Sequence, residues 1–543
     1  MAEEKKGSTI SFEIKNPYLI VFLLFGITIA VLELSVILNR PIAFGDGAYH
    51  SYIAKYIGQN EIFPKVLPGL NSYYTYSPLL HLLLSIFYIA PFGEILAKVF
   101  IPILVFLTGL GIFVTTAKFF TKKMALLSAV FVTTIPIFAT YSVLIYTDIL
   151  MIFFFALSTM FTLIAEKDGS RKYWVLAVIF AGMAFLSKGI GLISFGFIAF
   201  VLLYKFFKKE YTIKEFFNLG ILLAVISILV IGGWLIRNII FFEAIDCNLP
   251  LPKGNCVKEI INPDISKKFE GYVVPSGSNV NVMNFGLKNF MVFMYGNMWL
   301  VPLAAIIGIV LAFSRRENVD YFNLLLLFLA IFPALVISFI GWQIGSEQRT
   351  EDIARYMILS AFAVPLIAAV FIDKFLDFLR KYWKYLSVIL IIIIIYFSWV
   401  NFKEKLTTMS SVTQFSTAFF DACNFIKSNT EKDSTFLTLW AAPTVYNCER
   451  TAMWESDYLP DIVLSQNITT VLNATKASGT DYIFIQKFAL SQKAYQASIP
   501  MTFVQFLNSN PEHFENIYEN GPKLDDCIKQ GGCDGTIVYK IKY

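Results

Sequence analysis

The stretch Leu79-Leu80-His81-Leu82-Leu83-Leu84-Ser85-Ile86-Phe87-Tyr88-Ile89-Ala90 decides the topology of this chain. It is apolar enough to suggest a membrane span, but a helix crossing a hydrocarbon core of about 30 Å needs about 20 residues, and this run falls well short. Eleven other runs reach that measure or come near it, at 18–38, 95–117, 124–140, 148–165, 173–187, 190–204, 217–236, 290–312, 319–341, 357–376 and 385–400. The fifth and sixth, on either side of Ser187-Lys188-Gly189, are the shortest. The loops after the second, fourth, sixth, eighth and tenth carry Lys118/Lys122/Lys123, Lys167/Arg171/Lys172, Lys205/Lys208/Lys209, Arg315/Arg316 and Lys374/Arg380/Lys381/Lys384. Cations gathered in alternate loops mark the cytoplasmic side. If 79–90 also spanned, every basic loop after it would change sides. Parity therefore assigns it to the outer interface, as an amphipathic helix within a first external loop covering 39–94.

Composition agrees with a polytopic α-helical membrane protein. The 543 residues are 57% hydrophobic and 15% charged, with 54 Phe, outside the soluble globular range. The net charge of +5 is unevenly placed: from Asn401 onward 12 Lys+Arg face 15 Asp+Glu, a local −3, which leaves +8 on the apolar part. A surplus placed in short loops reports membrane orientation, so membrane lipids are expected partners and nucleic acid is not. Lys5, Lys6 and Lys15 precede a first apolar run that is too long for a signal-peptide core and lacks a small-residue cleavage site. It reads as a retained helix with a cytoplasmic N-terminus.

An odd number of spans leaves the tail extracytoplasmic. Two domains are expected: a transmembrane domain over 1–400, and a soluble mixed α/β domain over 401–543 with strand-like runs at 435–439 and 482–485. All six cysteines fall in segments placed outside, Cys247 and Cys256 after the seventh span and Cys423, Cys448, Cys527 and Cys533 in the tail. Sequential pairing would give three local disulfides in an oxidising compartment, one of several connectivities. Two sequons, Asn467-Ile468-Thr469 and Asn473-Ala474-Thr475, also fall outside.

With the sides assigned, Asp46, Asp148, Lys188, Arg237, Glu347, Arg349 and Arg355 all lie at the outer ends of spans or just beyond. The loop 39–78 opens with Phe44-Gly45-Asp46-Gly47-Ala48-Tyr49-His50 and closes with Tyr73-Tyr74-Thr75-Tyr76-Ser77-Pro78. Asp46 stands between two glycines that permit close approach of backbone to ligand, and its carboxylate suits a general base; a plain Asp-Gly turn is the alternative. Asp148 opens the fourth span, where the helix dipole favours an acid. Lys188, Arg355 and Arg237 are the cations placed to meet phosphate, and Arg237 equally suits lipid headgroups. Tyr49, His50, Tyr76, His81, Glu347 and Arg349 are candidate contacts for donor or acceptor. No metal ligand is assigned, though His50 and His81 with Asp46 leave a divalent cation open. Glu33, inside the first span, must be paired or protonated. No Gly-rich phosphate loop, dinucleotide fingerprint or metalloprotease helix is present, so an enzyme working on the outer face would need a lipid-borne activated substrate.

The acid soon after the first helix, Tyr76-Ser77-Pro78-Leu79-Leu80, the second acid Asp148, Leu186-Ser187-Lys188-Gly189 and Arg355-Tyr356 together resemble the GT-C superfamily of polyprenyl-phosphate-dependent glycosyltransferases. The likeness is to the protein mannosyltransferase and lipid A aminoarabinose transferase branch, and it runs from Tyr18 to about Asp373. It implies that Asp46 is the catalytic carboxylate, that Asp148 shapes or polarises the acceptor site, and that Lys188 and Arg355 face the lipid phosphate. Gly47 stands where many relatives carry a second acid, and Ser77 where they often carry a basic residue. The function so implied is transfer of a sugar from a polyprenyl-phosphate donor to a protein, lipid or glycan acceptor on the outer face, by an inverting reaction. A transporter or lipid flippase would place ionisable residues and broken helices near the midplane, in repeated halves; here the charges sit at outer ends. A non-catalytic receptor would not need opposed acids and bases under one external domain.

Overall fold

The computed structural model describes residues 16–42, 45–60, 64–70, 72–242, 368–369, 372–373, 375–381, 385–411, 417–454, 458–491, 499–524, 526–527 and 533–543. The eighth, ninth and most of the tenth expected spans, with Cys247, Cys256, Glu347, Arg349 and Arg355, lie outside them. Among the described residues five helices are long and apolar enough to cross a membrane: α1 (Pro17–Leu38), α4 (Gly93–Phe119), α7 (Thr147–Asp168), Gly189–Phe207, which is a 3-10 turn leading into α9 (Ile193–Phe207), and α10 (Ile213–Phe242). Between them come α2 (Gly45–Gln59), a short hairpin of β1 (Val66–Leu67) and β2 (Ser72–Tyr73), α3 (Leu79–Tyr88), α5 (Lys122–Thr134), α6 (Pro136–Tyr141) and α8 (Arg171–Ser187); α11 (Leu386–Ser411) ends the bundle.

The burial of α1 shows why these sequences form membrane helices. Leu19, Phe22, Gly26, Ile29, Glu33 and Ile37 recur at helical spacing and turn inward, while Ile20, Val21, Leu24, Ile27 and Val31 stay exposed. A face of bare aliphatics suits hydrocarbon rather than water. Phe22 stacks on Phe106 and Phe113 of α4, at centroid distances of 6.2 and 5.8 Å. α3 has ten residues and would rise about 15 Å, half the depth of the hydrocarbon. It exposes Ile86 and buries Leu80, His81 and Leu84 against α2 and α4.

Two expectations need correction. The expected third span, 124–140, is two helices, because Pro136 has no amide donor and pushes Ile135 into an extended conformation (φ −60°, ψ 132°). The stretch around Asp46 is the first turn of a helix and not a loop. α2 buries Ala48, Ser51, Ile53, Ala54 and Ile57 along its length, and the face so formed supplies the stability its glycines withhold.

The two ends of the bundle differ chemically. At one, ion pairs tie helix termini together: Lys118 to Asp168 at 2.8 Å, Lys205 to Glu210 at 3.1 Å, and Lys123 to Asp373 and Asp377 at 3.0 and 2.6 Å. At the other, α2, α3 and the hairpin lie beneath the C-terminal domain.

That domain is built on a five-stranded mixed sheet in the order β4-β3-β5-β9-β8, from β3 (Thr435–Leu437), β4 (Thr451–Met453), β5 (Tyr482–Gln486), β8 (Phe514–Asn520) and β9 (Thr536–Ile541); a separate short pair joins β6 (Leu490–Ser491) and β7 (Ile499–Pro500). β3 runs parallel to β4 and β5, and β9 antiparallel to β5 and β8. Five helices surround the sheet: α12 (Thr417–Asn429), α13 (Ala441–Cys448), α14 (Leu459–Val463), α15 (Ile468–Ser478) and α16 (Met501–Asn508). Every residue of β5 is buried, and the strand's alternation feeds two cores. Ile483 and Ile485 pack with residues of α14 to α16, whereas Tyr482 and Phe484 join Phe436, Phe419 and Val445 in a core that also takes in Ile53, Ile57, Leu67, Leu70 and Tyr74 of the first loop.

Disulfides Cys423–Cys448 and Cys527–Cys533 are present, as sequential pairing expects. The first ties α12 to α13, the helix that sits on α2. Ala452 N donates to Gly69 O at 2.9 Å, Asn447 Nδ2 to Ile42 O at 3.1 Å, and Tyr446 Oη to Glu94 Oε2 at 2.9 Å. A side chain at Gly69 would put its Cβ 2.6 Å from Tyr52 Oη and 3.0 Å from Val445 Cγ1, so only glycine lets the hairpin and α13 meet this closely.

Candidate active site

Asp46 occupies the first turn of α2, partly exposed. Gly47 turns that helix against the α6–α7 connection, where a Cβ would stand 3.8 Å from Ile145 O. The same connection carries Tyr146 and leads straight into Asp148. Thus the two acids that sequence order keeps 102 positions apart sit on touching segments.

Asp148 is fully buried at the start of α7, and its Oδ1 accepts a 2.6 Å hydrogen bond from Lys188 Nζ. Lys188 lies in the extended link between α8 and the following 3-10 turn. The link is tight: Gly191 N donates to Lys188 O at 2.8 Å, and a Cβ at Gly191 would fall 2.4 Å from Ala184 O. Glycine there lets the chain double back and aim Lys188 at α7. A buried carboxylate is strongly disfavoured without such a partner.

The aromatic residues expected as contacts are brought together. Tyr49 and Tyr76 rings lie 4.9 Å apart, and the edge of His50 meets Tyr76 at 5.3 Å and Tyr146 at 6.4 Å. His50 Nδ1 and His81 Nε2 are hydrogen-bonded at 2.8 Å, and Tyr74 Oη bonds His81 Nδ1 at 2.9 Å. Both histidines are buried. Burial, reinforced by the neighbouring His50, holds His81 well below the ordinary histidine pKa of 6.5. Burial likewise pushes the Tyr74 hydroxyl up, against an opposing pull from Arg237.

Arg237, near the end of α10, is held in place rather than presented. Its Nη2 donates to Pro64 O at 2.9 Å and its Nη1 to Asn238 Oδ1 at 3.0 Å, and its guanidinium faces the rings of Trp234, Phe241, Phe242 and Tyr74 at 4.8 to 5.3 Å. Of the cations expected at the phosphate, Lys188 is thus engaged by Asp148 and Arg237 by backbone and aromatic faces. Glu33 is fully buried beside Ser142.

Sequence reasoning missed Tyr74, Tyr146 and the contact from the C-terminal domain. Tyr446 Oη meets Glu94 and lies 3.3 Å from Tyr88 Oη; burial, the first cause in both, raises the Tyr446 hydroxyl and pushes that of Tyr88 up to about 12. The Tyr-rich run before Pro78 was the available signal for Tyr74. Among the described residues no group of three or more His, Cys, Asp and Glu is placed to hold a metal ion. With both ring nitrogens of His81 taken by Tyr74 and His50, a metal shared by His50, His81 and Asp46 does not fit.

Residues 77–234 match the family described as dolichyl-phosphate-mannose-protein mannosyltransferase. No curated protein matches the sequence. Solved structures agree over nearly the whole chain. The oligosaccharyltransferase of Archaeoglobus fulgidus in its apo form has a TM-score of 0.64 at 14% identity, covering 94% of this chain and 81% of that one. The same organism's AglB in complex with an inhibitory peptide and a dolichol-phosphate gives 0.59 at 15% identity, over 86% and 69%. ArnT from Cupriavidus metallidurans bound to undecaprenyl phosphate gives 0.60 at 12% identity, over 96% and 97%. At such identities the likeness is one of architecture: the chain shares the fold of these proteins, membrane helices followed by a mixed-sheet domain.

Proposed function

We propose that the protein is an integral-membrane inverting glycosyltransferase that moves a sugar from a polyprenyl-phosphate donor to an acceptor nucleophile. One observation carries this reading: on that shared fold, Asp46, the Asp148–Lys188 pair and the cluster of Tyr49, His50, Tyr76 and His81 gather at the end of the bundle that the C-terminal domain covers. The similar structures bound to dolichol-phosphate and undecaprenyl phosphate support the class of donor.

In this mechanism Asp46 takes the proton from an acceptor hydroxyl or amide as that nucleophile attacks the anomeric carbon, and the sugar–phosphate bond breaks with its electron pair passing to the phosphate. Asp148 shapes the acceptor side and holds Lys188 in place, so that a single ammonium serves both the acid and the leaving phosphate. Arg355 is assigned as a second cation, and Glu347 and Arg349 as donor or acceptor contacts, on the sequence alone, since all three lie outside the described residues. Arg237 acts at one remove by fixing the hairpin. A divalent cation at Asp46 would have to draw its remaining ligands from outside the His50–His81 pair. The transmembrane domain covers 1–400 with eleven spans, the N-terminus is cytoplasmic, and the domain 401–543 is extracytoplasmic at the cell membrane, in keeping with its disulfides.

The test is to incubate the purified protein with a panel of polyprenyl-phosphate sugars and an acceptor mixture and to follow release of polyprenyl phosphate. If no lipid-linked sugar is consumed, the reading falls.

A further inference from the structure

Two histidines bonded ring to ring and closed off by a tyrosine form an unusual buried group, because each desolvated polar atom costs free energy unless it is paired. The three residues come from separate elements: His50 from α2, His81 from α3, and Tyr74 from the segment after β2. Tyr74 is in turn faced by Arg237 of α10, 5.3 Å from its ring centroid.

The proton count fixes the direction of the chain. Tyr74 Oη has one proton and is fully buried; among the described residues its partner is His81 Nδ1, and the nearby guanidinium can only donate. Tyr74 therefore donates, His81 Nδ1 is bare, and the proton of neutral His81 sits on Nε2. That proton goes to His50 Nδ1 at 2.8 Å, which places the proton of neutral His50 on its own Nε2. Each ring is left in a single tautomer.

We propose that Tyr74, His81 and His50 form a neutral hydrogen-bond relay that acts as a positioning device, locking the roll of α2 and hence the direction in which Asp46 points. His50 is one helical turn from Asp46 on the same face of α2, so a rotation that misplaces one misplaces the other. Close packing of α2 on α3 is tightest at Gly58, where a Cβ would stand 2.7 Å from Ser85 O, twelve positions from Asp46; nearer Asp46 the buried Ala48 presents only a methyl group, and the relay is what resists turning there. Directed bonds at 2.8 and 2.9 Å do not tolerate it. His81 and Tyr74 are thus positioning residues for the transfer proposed above, on which the catalytic half of the inference rests.

The chain has three histidines, so the state of the relay can be read directly. Solid-state 15N spectra of histidine-labelled, membrane-reconstituted protein should show His50 and His81 both protonated at Nε2 and bare at Nδ1, with His81 still neutral at pH 6.5. Either ring cationic at that pH, or protonated at Nδ1, overturns the relay, whatever the protein's activity. Kinetics test the positioning. His81→Gln keeps an amide oxygen to accept from Tyr74 and an N–H to donate to His50, and should recover most of the kcat that His81→Leu loses. His81→Leu and Tyr74→Phe should lose on the order of 10²-fold in kcat, the loss expected of a misplacement near 1 Å, with little change in KM. His81→Gln as inactive as His81→Leu would mean that the ring must titrate and would overturn the neutral relay. Full activity in Tyr74→Phe, which removes one oxygen and leaves packing intact, would overturn the positioning role even if His81→Leu failed to fold. A wild-type protein with the expected tautomers and no sugar transfer would instead overturn the glycosyltransferase reading.

Discussion

Lys188 Nζ and Asp148 Oδ1 are 2.6 Å apart, with the Asp148 side chain fully buried and that of Lys188 16% exposed. Removing the lysine takes the opposing charge from a fully buried acid. Lys188→Met is expected to destabilise the protein by about 3–5 kcal/mol, the usual cost of leaving one member of a buried pair. Adding Asp148→Asn should restore much of that stability without restoring transfer. Thermal midpoints in detergent, read beside donor turnover, separate the two effects.

Asp46→Asn keeps the size of the side chain and removes its basicity. Transfer is expected to fall by about 10²–10⁴-fold, while the fold and polyprenyl-phosphate binding stay close to wild type. A variant active to within a few-fold would move the base to another residue, Asp148 first.

His81 links stability to pH. Its neutral form is favoured in the folded protein, whereas the unfolded chain takes up a proton near 6.5, so below that value the unfolded state binds more protons and stability falls as pH falls. The slope is at most about 1.4 kcal/mol per pH unit for one proton, and it vanishes above 6.5. Unfolding midpoints measured across that range should show a steeper acid limb in wild type than in His81→Gln.

Gly69→Val is expected to part the hairpin from α13. Its new side chain would meet Tyr52 and Val445, and the bond from Ala452 N to Gly69 O would lengthen. Faster amide exchange over 441–453 with the bundle unchanged would show this. Exchange equal to wild type would mean that the contact gives way without loosening the domain.

The side of the membrane on which the tail lies can be checked through Cys423 and Cys448. After reduction of intact cells, a membrane-impermeant thiol reagent should reach them once the domain is loosened by mild denaturant. Labelling seen only after permeabilisation would put the domain, and the site beneath it, on the cytoplasmic side.

The bundle was legible where residues repeat a simple pattern. α1, α4, α7 and α10 are long apolar runs; burial in α1 and α4 follows the helical period, whereas α7 is buried on nearly every side. α2 was not legible as a helix because Gly45, Gly47 and a row of polar and aromatic residues look like a loop; it is stable because α3 and α13 cover it, a tertiary fact that local propensity does not carry. The break at Pro136 had a visible signal that the length of the apolar run masked. Residue types were legible to the extent that Asp46, Asp148, Lys188 and the aromatic residues singled out in the sequence come together at one end of the bundle. Their partners were not. Lys188 and Asp148 are 40 positions apart and His50 and His81 are 31, so which charge answers which acid depends on how α2, α3, α7 and α8 pack.

The core shared by the first loop and the C-terminal sheet bears on how the protein is made. Ile53, Ile57 and Tyr74 leave the ribosome more than 300 positions before Phe419, Phe436 and Phe484, with which they pack. Contacts of such long sequence range form late, and domains made earlier generally fold first. The segment bearing Asp46 therefore waits through most of synthesis with its apolar surface uncovered, and is completed only when the last strands arrive. A chain cut short before α13 would lack the surface on which α2 comes to rest, so the order of translation leaves the segment bearing Asp46 uncovered in every half-made chain.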